Sequence, residues 1–240
     1  MALGLYWSWK PKISFVKSNT NYRELIYLII LTVIVYFLRD SQLIFPLWRL
    51  GTIFHELGHG LGAILTGGSI REIHIAFDGS GLCKSSGGWR FVVIPAGYLG
   101  NMFIGGLLMC WAAHSDQDRK IMRYLGSLLI FISLIYVRPV FGFGFLFCVL
   151  TSLIMLALAS FAPKKINDFV IKIIGLNSSL QAVFHLPNSS KPESDASKFA
   201  ELLGGTPYFW AVVWWLIAII SSAYFLYIAT RFKNTAKELK

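Results

Sequence analysis

The chain has 240 residues, 55% of them hydrophobic, and its 22 Lys and Arg against 12 Asp and Glu leave a net charge of +10. The apolar residues come in long blocks and the mean hydropathy is +0.61, the composition of a membrane protein and not of a soluble core. The basic residues flank those blocks without base-stacking aromatic clusters, so the charge suits lipid headgroups and topology control and no nucleic-acid partner is expected.

Residues 1–23 form a basic tail carrying Lys10, Lys12, Lys17 and Arg23. No small-residue cleavage site follows the first apolar run, which is therefore expected to stay as an anchor. About 20 apolar residues cross the roughly 30 Å hydrocarbon layer as a helix, and backbone groups there must be satisfied within the helix. The first span is expected at 24–38 and the second at 41–65, where Gly67-Gly68 stops it.

The period then changes. Ile73, Ile75 and Phe77 alternate with polar neighbours, Asp78-Gly79-Ser80-Gly81 offers a turn, and 89–93 is β-prone again, so a hairpin is expected over about 69–93. A third span follows at 91–113. The apolar stretch 125–161 is divided at Arg138-Pro139, because proline disfavours helix continuation and a mid-bilayer Arg is costly. A polar segment over about 163–207 holds a short amphipathic piece at 166–174, and a last span covers 208–230 before the basic tail 231–240.

The expected fold is thus an all-α polytopic membrane protein of about six transmembrane helices, with one embedded domain over 24–230 and a small β-hairpin after the second helix.

That second helix carries His55-Glu56-Leu57-Gly58-His59. Residues four apart share a helix face, so His55 and His59 can bind one Zn²⁺. Glu56 follows the first ligand directly, placed to take a proton from a zinc-bound water and pass it to a leaving amine. A chance match is the competing explanation. Against it, Glu56 is the one acidic residue well inside a predicted span, where an uncompensated carboxylate costs several kcal/mol. Gly58 and Gly62 read as a small-residue face for close helix packing. Pro95-Ala96-Gly97-Tyr98-Leu99-Gly100-Asn101 either packs against the zinc helix or presents Asn101 to a substrate carbonyl.

Zinc needs a third protein ligand and an open position. Asp195 is the first candidate, although an Asp at a helix start commonly caps free N–H groups, and Asp168 is the second. His74, His114 and His185 rank behind them as isolated loop or strand histidines, and Cys83, Cys110 and Cys148 lack thiolate-site spacing.

These residues resemble the site-2-protease-like family of intramembrane zinc metallopeptidases, in particular its smaller bacterial and plastid-type members. The resemblance is carried by Phe54-His55-Glu56-Leu57-Gly58-His59-Gly60 with Gly67-Gly68, by Pro95 to Asn101, and by Ser194-Asp195-Ala196 with Leu202 and Gly205-Thr206-Pro207. It implies Zn²⁺ held by His55, His59 and Asp195, Glu56 as the catalytic base, and membrane-anchored proteins as substrates, in a bacterial inner membrane or an organellar membrane. Better-known members carry the third ligand in an Asp-Gly pair on a later span. Here the single Asp-Gly, Asp78-Gly79, reads as a turn, so Asp195 has to arrive on a re-entrant segment. The hairpin is implied to present substrate by strand addition. Two other classes remain open: a non-proteolytic multi-pass protein keeping zinc for structure or interaction, and a transporter, for which paired broken helices are missing.

Overall fold

The computed structural model describes residues 20–39, 41–184 and 194–231. Among them are eight helices and one hairpin: α1 Tyr22–Leu38, α2 Phe45–Leu65, β1 Ser69–Ile75, β2 Gly81–Ser86, α3 Arg90–His114, α4 Asp118–Tyr136, α5 Phe143–Phe161, α6 Lys164–Phe184, α7 Asp195–Leu203 and α8 Pro207–Arg231. The basic tails fall outside the described residues except at their inner ends.

Three helices, α3, α5 and α8, are long and apolar enough to cross a membrane. The other three expected spans are helices at the expected places but do not meet that measure. The reasons are local: α1 has 17 residues, α2 carries Arg49 and the His-Glu-His cluster, and α4 opens on Asp118, Arg119, Lys120 and Arg123. Large apolar side chains are nevertheless exposed along α1, α4, α5 and α8, including Ile30, Phe131, Leu150 and Ile220. A water-soluble bundle would bury these against a core.

At the centre α3 packs on α6, with α2 against α3, α8 against both α3 and α6, and α4 paired with α5. The α3–α6 approach depends on facing glycines. A Cβ on Gly175 would lie 2.7 Å from the Gly105 carbonyl oxygen, and one on Gly105 would lie 2.5 Å from that of Gly175. The α2–α3 approach works the same way, since a side chain on Gly58 would run into the Ala96 carbonyl and Gly100 sits over the Gly58 backbone.

Two sequence expectations are corrected. The second strand is Gly81–Ser86, not 89–93: Gly87 and Gly88 take positive φ, which turns the chain, and Trp89 then opens α3. The segment 163–207 holds more than a short amphipathic piece at 166–174. It contains α6, a 21-residue helix that is among the most buried elements. Several of its polar residues find partners inside the protein: Asn167 donates to the Leu158 carbonyl, Asn177 to that of Leu47 and Gln181 to that of Trp48, while Lys172 pairs with Glu24 at 2.6 Å and Asp168 at 2.9 Å.

The hairpin is antiparallel, from Ser69 opposite Ser86 to Ile75 opposite Gly81, with an irregularity between Ile70 and Glu72. The outer edge of β1 is taken, because Ile73 bridges Val137 and its carbonyl accepts from the Arg138 N–H at 2.9 Å. Among the described residues no strand pairs with the other edge of β2.

Candidate metal centre

α2 gives His55 and His59 a common face, one helical turn apart. The two Nε2 atoms lie 3.2 Å from each other. The His59 Nδ1–H donates to the Val93 carbonyl at 2.8 Å, which leaves a lone pair on Nε2 of the neutral ring. The Tyr98 ring stands edge-on to His55, with centroids 4.7 Å apart, and fixes that imidazole from the α3 side. Gly97 completes the fit: any side chain there would collide with both histidine rings.

Asp195 enters from α7. Ser194, not Asp195, caps this helix, its Oγ accepting from the Ser197 N–H at 3.2 Å, and the Asp195 carboxylate is thereby released from capping. Its Oδ2 lies 3.1 Å from His55 Nε2 and 3.2 Å from His59 Nε2. Burial works against ionising Asp195, but protons held on the facing histidine Nε2 atoms when no metal is bound outweigh it and keep the carboxyl well below the usual carboxylate range.

Three ligand-type atoms therefore converge at the corners of a nearly equilateral triangle. Bonds of about 2.0–2.2 Å in a tetrahedral zinc site separate ligand atoms by about 3.3–3.5 Å, close to the spacing here, and leave one position open. Converging lone pairs repel each other unless a proton or a cation lies between them, so the donor set fits a divalent metal.

Glu56 is buried, lines the same cavity as the triad, and has no hydrogen-bond or ion-pair partner among the described residues. Gly81 at the start of β2 packs directly on it, and a side chain at 81 would displace the carboxylate. Arg49 and Thr52 tie the hairpin turn down to α2 by donating to the carbonyls of Phe77 and Gly79. The cavity measures about 700 Å³ and also takes in Cys83, Tyr98, Asn101 and Gln181. Burial and then the Glu56 carboxylate push the Cys83 thiol up to about 12.

The other candidates lie elsewhere. Asp168 is engaged by Lys172, His74 sits 3.1 Å from Glu72, His114 contacts the Cys110 carbonyl within its own helix, and His185 is outside the described residues. Asn101 lines the cavity; its Nδ2 donates to Gln181 Oε1 at 2.7 Å and the Gln181 Nε2 donates to the Trp48 carbonyl, which ties α3 to α6 and α6 to α2. The sequence does not single out Tyr98 or Gln181: Tyr98 lies in the Pro95 to Asn101 motif, which points to helix packing or to Asn101, and Gln181 in the segment that reads as polar.

A family model described as Peptidase M50B-like matches residues 27–225, and no curated protein and no solved structure matches the chain.

Proposed function

The chain belongs to the Peptidase M50B-like family, and from that premise we propose that it is a membrane-embedded zinc endopeptidase acting on membrane-anchored proteins. The observation that carries this reading is the convergence of His55, His59 and Asp195 beside a buried Glu56 in one cavity.

In this reading His55 Nε2, His59 Nε2 and Asp195 Oδ2 hold the metal. Bound zinc supplies a Lewis acid that polarises the scissile carbonyl and lowers the pKa of a coordinated water to about 7. Glu56 accepts a proton from the attacking water on one oxygen and returns it to the leaving amine nitrogen. With no hydrogen-bond or ion-pair partner among the described residues, it is available for both transfers. Val93 and Tyr98 orient the two imidazoles.

Substrate presentation is assigned to β2. A helical substrate has its carbonyls already hydrogen-bonded and must be unwound before attack, and a free strand edge offers replacement partners. The edge of β2 fits this role because that of β1 is occupied by Val137 and Arg138, and because β2 begins against Glu56. Three qualifying spans make the chain an integral membrane protein. We assign α1, α2 and α4 to the bilayer beside them on their exposed apolar faces, for six spans in all.

The test is Glu56→Gln in purified full-length protein, assayed against membrane-anchored reporter substrates with zinc measured alongside. Cleavage is expected to fall by at least about a thousandfold while zinc content stays at wild-type level. Unchanged cleavage would overturn the mechanism, and wild-type protein holding zinc with no hydrolysis of any substrate would point to a structural metal site.

A further inference from the structure

The cavity's charged lining, the histidines aside, consists of Glu56, Asp195, Arg90 and Lys198. The mechanism uses the two acids and leaves the two cations without a task. Arg90 is exposed at the first turn of α3 and has no carboxylate partner among the described residues. The Lys198 ammonium lies 3.8 Å from Asp195 Oδ1, at the outer limit of an ion pair, on a side chain 44% exposed. Both line the cavity where α7 packs near the start of α3, since the residues next to them in sequence, Phe91 and Phe199, face each other with ring centroids 5.7 Å apart. Arg90 has no carboxylate partner among the described residues and Lys198 only the long contact to Asp195, so the two keep positive charge available to an anion at the cavity lining.

The simpler explanation makes Arg90 a membrane-interface anchor and Lys198 a helical neighbour of Asp195. It leaves unexplained why both line the cavity that holds Glu56. Resting on the peptidase reading, we propose that Arg90 and Lys198 form an anion-recognising subsite, which selects substrates carrying an Asp or Glu side chain close to the scissile bond. Lys198 is one helical turn, about 4.5 Å along the axis, beyond Asp195, and an extended peptide advances about 3.3 Å per residue. The recognised carboxylate therefore falls within about three residues of the cleaved bond.

The experiment uses the purified full-length protein in non-ionic detergent, with a degenerate library of acetylated, amidated peptides so that no terminal carboxylate competes. Cleavage positions are read by mass spectrometry for wild type, Arg90→Gln, Arg90→Glu with Lys198→Glu, and Glu56→Gln. Matched peptides bearing Glu or Gln at the selected position then give kcat/KM. Wild type is expected to prefer Glu by about tenfold or more, chiefly through KM, and to lose most of that preference as salt is raised. Arg90→Gln, which alters one exposed side chain, is expected to weaken it, and the double charge reversal to turn it toward Lys. Equal cleavage of the Glu and Gln peptides by wild type, or a preference that survives both variants with zinc content intact, would overturn the subsite alone. No cleavage by wild type above the Glu56→Gln background would overturn the peptidase reading and the subsite with it.

Discussion

Asp195 shows what one residue contributes and how little of it is visible locally. The pairing of His55 with His59 follows from helix geometry across four residues, but the carboxylate that meets them lies 140 residues beyond His55. Asp195 and Asp168 both sit at or near helix starts, and only the packing of α7 separates their roles. Asp195→Ala is expected to cost tenfold or more in zinc affinity, and Asp168→Ala to leave zinc content unchanged; elemental analysis of the two purified variants checks this. Asp168→Ala removes one of the two carboxylates that pair with buried Lys172, so the penalty there should appear as lost stability instead.

Among the elements, α6 is where sequence and structure diverge most. A stretch containing Lys172, Asn177, Ser178, Ser179 and Gln181 reads as solvated, because composition alone cannot tell a polar residue facing water from one facing another helix. Within a bundle lined by apolar side chains the polar groups turn inward and bond to each other. Ser179 meets Ser222 of α8 at 3.0 Å, and Lys172, 2% exposed, ties α1 to α6 through Glu24. Lys172→Met is expected to destabilise the protein by about 1–3 kcal/mol, since it leaves the partly buried carboxylates of Glu24 and Asp168 without their shared cation, and a clearly lower midpoint in detergent thermal unfolding measures it. The hairpin's existence was legible from its alternation, but its second strand was not, because Trp89 to Val93 is β-prone while Gly87-Gly88 decides where the strand ends. Close packing of α2 on α3 was legible from Gly58 and Gly62. Gly58→Ala should improve helix propensity yet lose about 1–3 kcal/mol through the clash with the Ala96 carbonyl, together with activity, because that contact sets the position of the histidine-bearing helix.

At the scale of the whole molecule, the long apolar blocks announced a membrane protein, and the helices fall where those blocks predict. How many cross the bilayer was less legible: Arg49 and Glu56 depress the hydropathy of α2 for reasons of function, and the basic start of α4 does the same at its edge. The fold uses α3 as a common wall, packed on the histidine helix by one face and on α6 and α8 by others, with α7 returning Asp195 to α2. The chain is expected to stay in the membrane pellet through an alkaline carbonate wash, and release into the supernatant would refute bilayer embedding. The most direct test of the central claim is zinc-dependent peptide cleavage by one purified preparation, stripped with a chelator and titrated back with Zn²⁺. The account predicts that activity disappears on stripping and returns in full at about one zinc per chain in wild type, but not in Asp195→Ala. Full cleavage by the zinc-free protein would contradict it.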